Sequence, residues 1–128
     1  MQKRIEVKKS HSDQDTVYLT SELFDGEIMQ VSATGQIITD SDHVSFIYLV
    51  DINDQFTYVS LTKEVWPHLK EVLTHNKNVK LTINDTEIEL PGVKEELSYL
   101  VENIEGNANY GDDMVNEVER VFLDKEEQ

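Results

Sequence analysis

Val79-Lys80-Leu81-Thr82-Ile83-Asn84-Asp85-Thr86-Glu87-Ile88-Glu89-Leu90 is the stretch on which the fold turns. With Asn84-Asp85 as a two-residue turn, Ile83 faces Thr86, Leu81 faces Ile88 and Val79 faces Leu90 on one side of a hairpin. On the other side Thr82 faces Glu87 and Lys80 faces Glu89. Every apolar residue then lies on one face and the lysine meets a carboxylate. A slip of one residue in register destroys both agreements.

The same period of two appears on either side of this hairpin. Ile5 and Val7 alternate with polar neighbours, as do Val17 and Leu19, and the polar run His11 to Asp15 between them predicts a second hairpin. Residues 44–51 and 55–61 are apolar on both faces, which marks the centre of a sheet, and Asn53-Asp54 suits the left-handed backbone of the turn that joins them. Residues 25–43 hold no sustained period among Gly26, Gly35 and the Asp40-Ser41-Asp42 turn, and read as a short strand or an irregular segment.

Three helices complete the reading. Val65, Leu69, Val72 and Leu73 repeat at helical spacing, with Pro67 tolerable only in the first turn, so that helix starts near Trp66 or Pro67. Val93, Leu97, Leu100, Val101 and Ile104 form the strongest stripe, stopped by Gly106. Val115, Val118, Val121 and Phe122 form the third, behind Asp112 and Asp113, whose carboxylates suit the positive end of a helix. The expected architecture is α+β, a mostly antiparallel sheet of five or six strands with about three helices packed on one face. A chain of 128 residues fits a single domain over 1–128, with residues 124–128 expected to fray.

Composition removes several kinds of chemistry. With no cysteine, disulfides, thiolate catalysis and cysteine-based zinc or iron-sulfur sites are excluded, and a reducing, cytoplasmic compartment is the expectation. The basic start is followed by His11, Ser12 and Asp13 where an export signal needs apolar residues. The longest apolar run, Phe46 to Val50, is far short of the ~20 residues of a membrane span. The net charge is −15, with no lysine or arginine between residues 11 and 62. Such a field repels phosphate backbones and attracts basic surfaces, so direct nucleic-acid binding and membrane insertion are not expected.

No pattern of residues points to a reaction. His68 and His75 share a helix face but stand about 10 Å apart, too far to ligate one metal ion. Asp51 to Gln55 begins like a calcium loop, yet Phe56 replaces the glycine and Thr62 the bidentate glutamate that such a loop needs. No serine sits in a nucleophile elbow and no glycine-rich phosphate loop occurs. No catalytic residue, metal site or cofactor is therefore assigned from sequence. The unusual segment is Gly106-Asn107-Ala108-Asn109-Tyr110-Gly111, whose asparagines and tyrosine exceed what a helix connection requires.

The first functional expectation is accordingly an acidic protein-binding or regulatory module without catalytic activity, using Asn107, Asn109, Tyr110 and Gly111, with Trp66 as a candidate interface aromatic. Its partner would be a basic protein or a second copy of the chain. The alternative is a small-ligand binder or enzyme with a non-local site around Asp40, Asp42 and Tyr110. A third is a nucleic-acid mimic, which needs the acidic residues of 85–128 on one continuous face.

Gly35-Gln36 leading to Asp40-Ser41-Asp42, Trp66, and Leu97-Ser98-Tyr99 running through Asn103-Ile104-Glu105-Gly106-Asn107-Ala108-Asn109-Tyr110-Gly111 also carry a likeness. On these residues the chain resembles the uncharacterised YjbL-like family of Bacillus and Staphylococcus, from about residue 17 onward. The resemblance implies a cytosolic protein of Gram-positive bacteria and carries no activity, ligand or catalytic residue with it.

Overall fold

Residues 3–125 are described by a computed structural model of the chain. The deciding hairpin is β6 (Asn78–Ile83) with β7 (Thr86–Glu89), and its register sets Ile83 against Thr86, Leu81 against Ile88, Thr82 against Glu87 and Lys80 against Glu89. All four pairs are those that the apolar alternation dictates. Asn84 takes the left-handed backbone that the turn requires.

The N-terminal hairpin is β1 (Lys3–Ser12) with β2 (Thr16–Ser21), and the central one is β4 (Ser45–Ile52) with β5 (Gln55–Leu61). Residues 25–43, read as short or irregular, contain instead the ten-residue strand β3 (Val31–Asp40). Its period is hidden because the register shifts between Ala33 and Ile37, a bulge containing Gly35 at φ +83.

The sheet has seven strands in the order β3-β4-β5-β1-β2-β6-β7 and is mixed, which corrects the expectation of five or six mostly antiparallel strands. The β1–β2 hairpin inserts between β5 and β6 and runs parallel to each, with Ile5 beside Val59 and Leu19 beside Leu81. Turn chemistry identifies sequential antiparallel neighbours; these two pairings join strands far apart in the chain, so no turn announces them. The sheet curls into a half-barrel.

The helices are α1 (Trp66–His75), α2 (Val93–Ile104) and α3 (Asp112–Phe122), with 3₁₀ turns at Lys63–Val65 and Ala108–Tyr110. Their buried residues share one core with the inner face of the sheet, Phe46, Tyr48, Val50, Val59 and Leu61 among them. Trp66 is fully buried between Phe46 and Phe122, at centroid distances of 5.1 and 5.3 Å, and its indole N–H donates to the Leu61 carbonyl at 2.9 Å. These three rings tie β4, α1 and α3 together.

At the C-terminal end Asp124 pairs with Lys70, and Lys125 reaches Glu105 at 2.6 Å. The rest of the segment expected to fray, residues 126–128, lies outside the described residues. Among the described residues no helix is long and apolar enough to cross a membrane.

Candidate functional site

The turn between β3 and β4 gathers the polar groups of the sheet's outer face. The Asp40 carboxylate accepts from the Arg4 guanidinium at 2.9 Å and lies 2.8 Å from His43 Nδ1, and Arg4 also donates to Ser60 Oγ at 3.1 Å. Ser60 is fully buried and its own hydroxyl donates to Ser45 Oγ at 3.0 Å. Burial works to raise the Asp40 carboxyl, but the hydrogen bonds from Arg4 and His43 outweigh it and hold the group below its ordinary value. Asp42 is exposed and takes no part in this network.

Val44 closes the turn at φ +51, a left-handed conformation that a β-branched residue adopts only under strain. It forms one wall of a cavity of about 280 Å³ whose other walls are Lys63, Asp113, Asn116 and Glu117. The fold thus brings the turn against the first turns of α3. Asp40, Asp42 and Tyr110, expected to share a non-local site, do not line that cavity together.

The segment between α2 and α3 spends most of its polar groups on itself. Asn107 accepts from the Asn109 N–H at 3.0 Å and donates through Nδ2 to the Asn103 carbonyl at 3.3 Å. Gly111, at φ +89, supplies the break before α3. Tyr110 is half-buried against the core and Asn109 is exposed. Trp66, a candidate interface aromatic, has no exposed surface at all: the core takes the ring and Leu61 takes its N–H, so nothing remains for a partner.

The exposed aromatic lies instead on α2. Tyr99 is 65% exposed, and Glu95 and Glu102, four residues before and three after it, stand on the same stripe of the helix with Asn103 beside them. Neither glutamate enters a salt bridge among the described residues. The opposite stripe, Val93, Leu97, Val101 and Ile104, is buried. Sequence reasoning passed over Tyr99, although its place off the apolar stripe was the available signal. Elsewhere in this acidic half of the chain the charges are partly neutralised, Glu117 by Arg120 at 2.7 Å and Glu105 by Lys125.

Residues 5–122 match the model of a family of unknown function, UPF0738. A UPF0738 protein of Bacillus cytotoxicus is 40% identical over 123 residues, which is 96% of this chain and all of the relative. Similar proteins of Bacillus mycoides and Bacillus licheniformis are 41% and 43% identical over the same shares of both chains. No solved structure matches.

Proposed function

The chain belongs to the UPF0738 family, whose function is unknown, and from that premise we propose that it is a protein-binding module that offers the outward face of α2 to a basic protein surface. The observation that carries this reading is Tyr99, held in water at 65% exposure in the middle of a folded helix. Large aromatics supply much of the energy at protein interfaces when a partner covers them, whereas a tyrosine left this exposed adds little to the core. Glu95 and Glu102 on either side, within a chain of net charge −15, would steer a basic surface to that ring. Asn109 in the following loop supplies an adaptable polar group.

Immobilised wild-type chain and a Tyr99→Ala variant are to be compared as baits in Bacillus lysate, at about 0.1 M and about 1 M salt, where the Debye length falls from roughly 10 to 3 Å. A stoichiometric basic protein that is held by the wild type, lost by Tyr99→Ala and weakened by salt supports the reading. Equal retention by both baits, retention only of further copies of the chain itself, or no stoichiometric species overturns it. The melting temperature of Tyr99→Ala is expected to match that of the wild type.

A further inference from the structure

Where β1 runs past its last pairing with β5, at Val7 and Leu61, its flank is taken over by α1. Ser10 and Ser12, two residues apart on the strand, meet His68 and Glu71, three apart on the helix. Ser10 Oγ lies 2.6 Å from His68 Nδ1. The other ring nitrogen, Nε2, lies 3.9 Å from Glu71 Oε2. Glu71 is fixed through its second oxygen, Oε1, which accepts from Ser12 Oγ at 3.0 Å and from Lys77 Nζ at 2.6 Å. Lys77 is anchored in turn by the Asp13 carbonyl at 2.8 Å.

The charges around the ring favour one placement of its proton, although Nε2 and Glu71 are too far apart for a hydrogen bond. The hydrogen bond from Lys77 is the main reason that the Glu71 carboxyl stays below its ordinary value, with Ser12 adding to it, so Glu71 is an anion at neutral pH. An anion beside Nε2 favours the tautomer protonated there, which leaves the lone pair of Nδ1 to accept the Ser10 hydroxyl proton. A hydroxyl, a base within hydrogen-bond reach and a third group that orients the base are the parts of an activated nucleophile. Among the described residues His68 is the histidine that meets a serine; His11 stacks on Tyr18, and His43 faces a carboxylate. The side chains of His68 and Glu71 are 32% and 33% exposed, so the group is open to solvent.

We propose that Ser10 is a nucleophile with His68 as its general base and Glu71 as the positioning residue, in a site that accepts the acyl group of small activated esters. Ser10 Oγ forms a bond to the acyl carbon while its proton passes to His68 Nδ1; the ester C–O bond breaks and that proton leaves with the departing alcohol. Water then attacks the acyl-serine under the same base, giving the acid and restoring Ser10. The site is separate from the face of α2 and stands or falls independently of it.

The test is an alkyl fluorophosphonate with the full-length chain, read by intact mass and peptide mapping. In this reaction the Ser10 O–P bond replaces P–F, fluoride departs and His68 takes the proton. One adduct on Ser10 is expected, together with release of p-nitrophenol from p-nitrophenyl acetate that falls by about 10²-fold or more in Ser10→Ala and His68→Gln, the scale of a general base. In Glu71→Gln the adduct forms more slowly and the ¹⁵N shifts of His68 report a changed tautomer. No adduct on the folded wild type, an adduct at another residue, or undiminished labelling in His68→Gln overturns the proposal. Absence of a Ser10 adduct on the folded wild type overturns the proposal by itself, so that arm of the test stands even where a variant fails to fold.

Discussion

The Tyr48 hydroxyl donates to the Pro91 carbonyl at 2.6 Å and accepts from the Gly35 N–H at 3.1 Å, so one fully buried side chain on β4 links the bulge of β3 to the segment that follows β7. Since β3 and β7 are the two edges of the sheet, this contact holds the ends of the half-barrel together. Tyr48→Phe keeps the ring in the core and strands a donor and an acceptor. It is expected to cost about 1–3 kcal/mol, the range for leaving buried polar groups unpaired. Urea unfolding at unchanged m-value checks this.

Gly92 meets Gly35 across the same seam. A Cβ at Gly92 would stand 3.3 Å from the Gly35 carbonyl oxygen, and its φ of +80 disfavours any L side chain. At Gly35 the φ is +83, yet a Cβ there meets nothing within 4 Å. Gly92→Ala is therefore expected to lower the melting temperature more than Gly35→Ala. The conformational part, about 1–2 kcal/mol, is common to both. Equal losses would mean that contact between the edges contributes nothing.

The hairpin at residues 79–90 was legible because its turn, its alternation and its one charge pair are local and agree. The same holds for the three helices, whose apolar stripes supply Leu69 and Val72 of α1, Val93, Leu97, Val101 and Ile104 of α2, and Val118 and Phe122 of α3 to the core, although the stripe of α3 omits the buried Met114 and includes the half-buried Val115 and Val121. What could not be read depends on partners distant in sequence. The bulge at Gly35 breaks the period of β3, and the parallel pairings of β1 with β5 and of β2 with β6 leave no turn signature. The candidate sites divide the same way. Tyr99 could be placed on the polar side of its helix by counting, while Ser10 and His68 are 58 residues apart and only the crossing of β1 and α1 joins them.

Trp66 is the single tryptophan, which makes the core directly observable. Enclosed between Phe46 and Phe122 with no exposed surface, it should show blue-shifted emission and resist acrylamide quenching until the chain unfolds. Trp66→Ala removes the ring shared by β4, α1 and α3 together with the indole N–H that donates to the Leu61 carbonyl. It is expected to cost about 3–5 kcal/mol, enough to consume much of the stability of an ordinary domain. Ready quenching in the native state would show that the ring is not where the core places it.

Asp40 gives the fold an acid-sensitive contact. Its folded-state carboxyl sits below its ordinary value, so the contribution is present above the ordinary value and is lost as the pH falls through the lower, folded one. Asp40→Asn removes the charge that faces Arg4 and His43. The variant is therefore expected to be less stable than the wild type at pH 6, with the difference shrinking as both are titrated toward pH 2. Glu71 and Glu117 also sit below their ordinary values and weaken both proteins over the same range, so the informative quantity is the gap between the two curves. Denaturant midpoints measured across that range decide the matter: a gap that stays constant with pH would mean that Asp40 acts through shape and hydrogen bonding alone, not through its charge.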